Sequence, residues 1–269
     1  LQKEGCECFA PQEAYFIKTE KDRVTICAPT HRITKRGDTL GGINLTLIIT
    51  SPAPEILRLQ TYHHMGVLKK SPEFELALTE TLPMEVTESE ETIIIKSGSL
   101  SLEIGKQNWF MTYKRNGEVI TKSNGRDLAL MKTNWKGDYY DQGDITDTYM
   151  RQQLSLGVGE LIYGTGERFT PFVKNGQSID IWNADGGTST DQSYKNIPFY
   201  LSNKGYGILV NHPEQVSFEI ATEQVTKAEF SVEGGYLDYF FINGPTMKDT
   251  LIHYTDLTGK PSLPAPWTF

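Results

Sequence analysis

Apolar and polar residues alternate along most of this chain, and that period of two limits its fold more than any other feature. Leu100-Ser-Leu102-Glu-Ile104, Val216-Ser-Phe218-Glu-Ile220 and Ile179-Asp-Ile181 are clear cases. Leu45-Thr-Leu47-Ile-Ile-Thr, Ile56-Leu-Arg-Leu59-Gln-Thr-Tyr62 and Phe74-Glu-Leu76-Ala-Leu78 nearly alternate. Successive side chains on a strand point to opposite faces. Alternation therefore sends one row into a core and the other into water, as in an antiparallel sheet with one wet face. The segments recur at spacings of ~8–15 residues and are separated by Gly, Pro, Asn and Ser, which predicts a sandwich or barrel rather than repeated βαβ units. The expected class is all-β: a large antiparallel two-sheet sandwich.

Local signals fill in the turns and one helix. Asn116-Gly117 sits between two apolar runs, and both residues tolerate positive φ, so a tight hairpin is expected there. Asn203-Lys204-Gly205 reads the same way. Thr246-Met-Lys-Asp249 matches a capping box with Asp in the acidic position. Met247, Leu251, Tyr254 and Leu257 then follow helical spacing, Gly259 supplies a C-terminal stop and Pro261 lies just beyond. The run Pro261-Ser-Leu-Pro264-Ala-Pro266 suits neither a helix nor a central strand. It reads as a linker, and the apolar Trp267-Thr268-Phe269 after it reads as the approach to another domain. The expected division is a β-sandwich over residues 1–245 and a helix with linker over 246–269.

Composition excludes several classes of function. The 269 residues can bury a full core without disulfide or metal staples. No apolar run approaches the ~20 residues of a membrane helix. The chain carries 26 basic and 34 acidic residues, a net charge of −8, which argues against nucleic acid or an anionic membrane as a partner. Neutral ligands such as sugars stay open. The three cysteines, Cys6, Cys8 and Cys27, are not a disulfide framework. Leu1-Gln2-Lys3-Glu4 leads into no apolar signal segment, and a cytoplasmic protein is expected.

Motifs for cofactors and metals are missing. Gly157-x-Gly159 and Gly164-x-Gly166 lack the third glycine and the following helix of a dinucleotide fingerprint. Asp138, Asp141, Asp144 and Asp147 lack the alternate spacing and closing Glu of a calcium loop. His63 and His64 are neighbours and, on a strand, would face opposite ways. No cofactor and no metal are expected. One stretch does suggest ligand chemistry. Gly186-Gly187 demands a sharp turn, which would present Trp182, Asn183 and Asp185 on a loop. An aromatic face beside an amide and a carboxylate suits a sugar; the competing reading is a plain hairpin whose Trp fills the core.

The motifs around that loop carry a resemblance. Y-G-T-G-E-R-F-T-P-F-V-K-N-G from Tyr163, I-D-I-W-N-A-D-G-G-T-S-T from Ile179, Y-K-N-I-P-F-Y from Tyr194 and G-I-L-V-N-H-P-E-Q-V-S-F-E from Gly207 resemble bacterial α-xylosidases of glycoside hydrolase family 31. The resemblance implies a galactose-mutarotase-type sandwich followed by a (β/α)₈ barrel. The barrel would carry an Asp nucleophile and an Asp acid/base for retaining hydrolysis, with carboxyl groups ~5 Å apart. No catalytic residue is expected within these 269 residues. Residues 182–190 match a loop that reaches the sugar pocket, which implies substrate contacts from Asp185, Trp182 and Asn183. The implied partners are an α-xyloside or xyloglucan-type oligosaccharide, the chain's own barrel and other copies in a homo-oligomer. Alternatives are the same domain of an α-glucosidase, a stand-alone carbohydrate-binding module, or a mutarotase-like epimerase. The last requires a His and a carboxylate converging in the sandwich, with His63, His64 and His212 as candidates.

Overall fold

The alternating segments are half-buried strands. In Leu100–Gly105, Leu100, Leu102 and Ile104 are buried and Ser101 and Glu103 are not; Val216–Ile220 repeats the pattern with Val216, Phe218 and Ile220 inward. The structure is a computed structural model that describes residues 5–66, 72–133, 147–184 and 190–268, with the backbone alone of the paired segments Trp135–Lys136 and Tyr139–Tyr140. Among the described residues, antiparallel pairing builds sheets of eight, six and five strands and a two-stranded ribbon. No described helix is long and apolar enough to cross a membrane.

The eight-stranded sheet runs in the order Ile162–Gly166, Asn196–Ser202, Tyr206–Val210, Tyr236–Asn243, Ile56–Tyr62, Asn44–Ala53, Val24–Pro29, Phe16–Thr19. It forms one layer. The six- and five-stranded sheets meet side by side as the other: Thr121 Oγ1 donates to the Ser155 carbonyl at 2.7 Å and Gln152 Nε2 to Ser123 Oγ at 2.7 Å. Tyr113 of the five-stranded sheet stacks on Phe241 at 4.0 Å, and Phe230 of the six-stranded sheet meets Tyr239 edge-on at 5.0 Å. The two-layer sandwich expected from the alternation is present, with its second layer divided between two sheets. The two hydroxyls of Tyr113 and Tyr239, fully buried, bond each other at 2.8 Å and so satisfy their polar ends within the core.

Alternation fails along Tyr236–Asn243 for a physical reason. Tyr239 and Phe241 face the second layer, whereas Phe240 and Ile242 face outward beneath Leu257 of the helix and Leu76 and Leu78 of a covering segment. A strand buried on both faces reads as a continuous apolar run. The covering helix is Met247–Thr258, capped reciprocally by Thr246 and Asp249 and stopped at Gly259, whose φ is +94°. The Asn116-Gly117 turn takes φ of +49° and +87° between Met111–Arg115 and Glu118–Ser123, as its sequence requires.

One carboxylate ties three of these parts together. Glu55, at φ +70° in the turn between two strands, accepts from Ser99 N at 2.5 Å, Ser99 Oγ at 2.7 Å and Asn243 Nδ2 at 2.5 Å. Arg115 donates to Asn243 Oδ1 at 2.8 Å, and the His253 ring of the helix donates to the Asn243 carbonyl at 2.6 Å. Burial works to raise the Glu55 carboxyl, but the Ser99 and Asn243 bonds outweigh it and hold the pKa below the ordinary 4.5. The unfolded chain then takes up this proton first on acidification, so the contribution is present above 4.5 and is lost as pH falls through the lowered value. Glu55→Gln should flatten the acid limb of stability against pH, read by urea unfolding; parallel curves for variant and wild type would count against the assignment. Thr246→Ala should lower stability by about 1 kcal/mol through loss of the cap, measured the same way.

Candidate functional site

Strand Gln177–Ile181 buries Ile179 and Ile181, so the next residue turns away from the core. Trp182 is 59% exposed and Asn183 is exposed as well. The chain returns at Thr190, and the two legs of the loop are pinned where they meet. Asn183 bridges Ser193, and the Ala184 N–H donates to the Ser193 carbonyl at 2.9 Å. Asn196 Nδ2 lies within bonding distance of the carbonyls of Trp182 (2.9 Å) and Ser193 (2.7 Å) and of Asn183 Oδ1 (3.0 Å).

Arg168 completes this clamp. Its guanidinium donates to the Asp191 carbonyl at 2.9 Å, the Asp180 carbonyl at 2.6 Å and Asn196 Oδ1. Burial lowers the guanidinium's pKa from its ordinary value, with the carboxylates of Asp191 and Asp180 acting against it; an arginine stays charged regardless. The chain reaches Arg168 through a bulge at Gly164–Gly166. Gly166 has φ +90°, and a Cβ there would lie 2.0 Å from the Lys195 carbonyl, so only glycine permits the approach. The Glu167 N–H then reaches that carbonyl at 3.0 Å, and Glu167 pairs with Lys195 at 3.0 Å.

Of the three candidate ligand contacts, the structure brings Trp182 and Asn183 together on the outside of this clamp. Asp185, with the rest of 185–189, lies outside the described residues, as do Asp138, Asp141 and Asp144. The exposed ring sets aside the reading of Trp182 as a core side chain. Arg168 and Asn196 stand in the quoted motifs, but their partners are mostly backbone carbonyls, which no residue pattern marks.

His212 is not free for acid–base work. Its Nε2 accepts from the Asp238 N–H at 2.9 Å, so Nδ1 carries the proton and donates to Glu214 at 3.1 Å. Both ring nitrogens are occupied and the ring is buried, which removes it as the base of an epimerase. His63 follows the strand Ile56–Tyr62, and burial holds its ring below the ordinary histidine value. Among the described residues no group of three His, Cys, Asp or Glu side chains is placed to hold a metal, and the three thiols are unbridged.

The glycosyl hydrolase 31 N-terminal galactose mutarotase-like domain matches residues 46–219, well over half of the chain. The chain belongs to that family. α-Xylosidase XylQ of Lactiplantibacillus pentosus is 40% identical over 271 aligned residues, which span all of this chain and 34% of that protein. The α-xylosidase of Emericella nidulans is 39% identical over 281, spanning all of this chain and 36% of its own length. This family 31 chain thus spans about a third of the length of these curated relatives. The cycloalternan-forming enzyme of Listeria monocytogenes, solved with a pentasaccharide substrate, superposes with a TM-score of 0.78 over 98% of this chain and 24% of its own, at 20% identity. At that identity the likeness speaks for the fold, which is the mutarotase-type sandwich expected from the motifs.

Replacing Arg168 by Met should free both legs of the loop. The expected result is faster amide exchange over residues 190–196 and a loss of about 1–3 kcal/mol in stability, from polar groups left without their donor. Unchanged exchange would show that Asn196 alone closes the loop.

Proposed function

We propose that this domain is the N-terminal, non-catalytic module of a retaining family 31 α-xylosidase that releases terminal α-linked xylose from α-xylosides or xyloglucan-type oligosaccharides. The observation that carries this is whole-chain identity of 40% and 39% to two proteins described as α-xylosidases. The net charge of −8 and the outward Trp182 suit a neutral sugar ligand. In this reading residues 1–245 form the sandwich, and 246–269 lead to a barrel that supplies nucleophile and acid/base. The sandwich closes one side of the pocket, and copies associate in the cytoplasm as a homo-oligomer.

The work of this chain would be positioning. Trp182 offers an aromatic face to the apolar C–H face of a sugar ring, Asn183 an amide and Asp185 a carboxylate for its hydroxyls. A longer protein containing this chain should hydrolyse p-nitrophenyl α-xyloside in preference to the α-glucoside; the opposite preference would overturn the assignment. These 269 residues alone should show no turnover above a heat-killed control. In the longer protein Asp185→Ala should lower kcat/KM about ten- to a hundredfold, the equivalent of a charge-assisted bond of roughly 1.5–3 kcal/mol, with little change in melting temperature. Unaltered kinetics with a lowered Tm would make Asp185 a turn residue only.

A further inference from the structure

The six-stranded sheet has an outer face of its own, turned away from the core. Its strands Leu128–Thr133, Asp147–Ser155 and Lys227–Glu233 send Leu130, Met150, Leu154, Phe230 and Val232 inward. Parity then turns Met131, Tyr149, Arg151, Gln153, Glu229 and Ser231 outward. Register sets these side chains in rows. Cys8 stands beside Met131 and Met131 beside Tyr149, while Arg151 faces Ser231 and Gln153 faces Glu229. Opposed side chains on one face lie ~4.5–5.5 Å apart, so the rows make one continuous floor. Arg126 and Glu223, both exposed, help to wall it into a cleft of about 510 Å³. That volume lies within the ~300–1,000 Å³ of small-molecule sites.

The floor is polar, held in place and short of partners. Gln153 is buried and donates to Glu229 Oε2. Asp127 is buried beside it, ion-paired with Lys227 and accepting the Asn124 N–H at 2.6 Å. Burial pushes the Glu229 carboxyl up from its ordinary 4.5, with Arg151 and the Gln153 bond acting against it and Glu223 and Glu219 adding to it. The other carboxyl oxygen, Oε1, takes no bond from a described residue. Arg151 Nη2 donates to the Arg126 carbonyl at 2.9 Å and lies 4.0 Å from Cys8 Sγ, but its Nε is buried without a partner. A desolvated acceptor and an unused donor thus stand side by side in one cleft, each short of a bond that water would have supplied.

The pairing of donor with acceptor selects the ligand. With Asp127 set against Lys227, the guanidiniums of Arg126 and Arg151 balance the carboxylates of Glu223 and Glu229. An anion would meet both carboxylates and a cation both guanidiniums. Arg151 can only donate, and ionised Glu229 can only accept. A phosphate only accepts and an ammonium only donates, so each satisfies one side of the cleft. A hydroxyl does both. The planar heads of Arg151, Gln153 and Glu229 suit pairs of neighbouring hydroxyls, and Met131 and Tyr149 offer apolar surface to C–H groups. We propose that this cleft binds a neutral sugar of one or two rings, with Arg151 and Glu229 as its recognition pair. Trp182 follows Gln177–Ile181, the end strand across the same sheet, so this is a separate place from the loop. The ligand class follows from the array of side chains and does not depend on which glycoside the longer protein cleaves.

The cysteines read this cleft without any turnover. Cys8 lines it, whereas Cys27 lies in a different depression beside Tyr15 and Phe16 and serves as the internal control. The longer protein is treated with iodoacetamide, and alkylation is followed at each cysteine by mass spectrometry, with xylose, maltose or inorganic phosphate added. Maltose should slow alkylation of Cys8 hyperbolically, by about tenfold at about ten times its Kd, and leave Cys27 unchanged. Phosphate should protect neither. Ser231→Phe fills the floor and should abolish the protection. Glu229→Gln keeps the shape and an acceptor, and should weaken the apparent Kd about tenfold through loss of a charge-assisted bond. Absence of slowing by both sugars, equal slowing of Cys8 and Cys27, or protection by phosphate in place of sugar would each overturn the site. Protection that persists undiminished in both variants would overturn it as well.

Discussion

The strand Tyr236–Asn243 is buried on both faces, and most of the remaining architecture follows from covering it. On its inner side Tyr239 and Phe241 need a second layer, supplied by Phe230 from one sheet and Tyr113 from another. On its outer side Phe240 and Ile242 need a roof, supplied by the helix and by Leu76 and Leu78. A Phe side chain contributes roughly 1.5–3 kcal/mol when fully removed from water, so leaving either face bare would forfeit several kcal/mol. The roof is therefore part of the fold. At its edge, where cover gives way to solvent, Phe74 is left 41% exposed.

Much of this was legible in the alternation because the period of two is the direct imprint of a one-sided sheet. Asn116-Gly117 and the Thr246–Asp249 box were legible because their backbone demands are local. The division of the second layer was not, since it depends on which edges meet. Thr121 and Ser155, or Ser123 and Gln152, carry no mark of their pairing across 34 or 29 positions. The roof was hidden for a related reason. Phe74-Glu-Leu76-Ala-Leu78 has the pattern of a strand, yet it lies over the sheet without joining any ladder, its Leu76 and Leu78 used as a lid.

The site divides in the same way. Trp182 follows Ile181 on a strand whose odd positions point inward, so its outward direction is a consequence of parity. The clamp behind it has no such signature. Arg168 spends its guanidinium mainly on carbonyls, and every residue has one. Gly166 is required by a close approach of the Lys195 carbonyl, 29 positions away, which composition cannot register.

The clamp joins the two layers at their edges. Asp180 lies in the end strand of the six-stranded sheet and Trp182 just after it, whereas Arg168 follows the edge strand Ile162–Gly166 of the eight-stranded sheet and Asn196 opens its neighbour Asn196–Ser202. The bonds from Arg168 to the Asp180 carbonyl and from Asn196 to the Trp182 carbonyl therefore cross from one layer to the other. Close-packed cores transmit displacement rather than absorb it. The separation of the layers, set by rings such as Tyr239 and Phe230, thus fixes where the Trp182 ring stands relative to Pro198 on the other layer. The place of the Trp182 ring is in this sense a property of the core: a side chain far from the loop can move it by changing the spacing the clamp inherits. A loop tied to one layer alone would keep its shape but lose its register with the other layer. Tying it to both makes the position of the Trp182 ring a consequence of how the two layers pack.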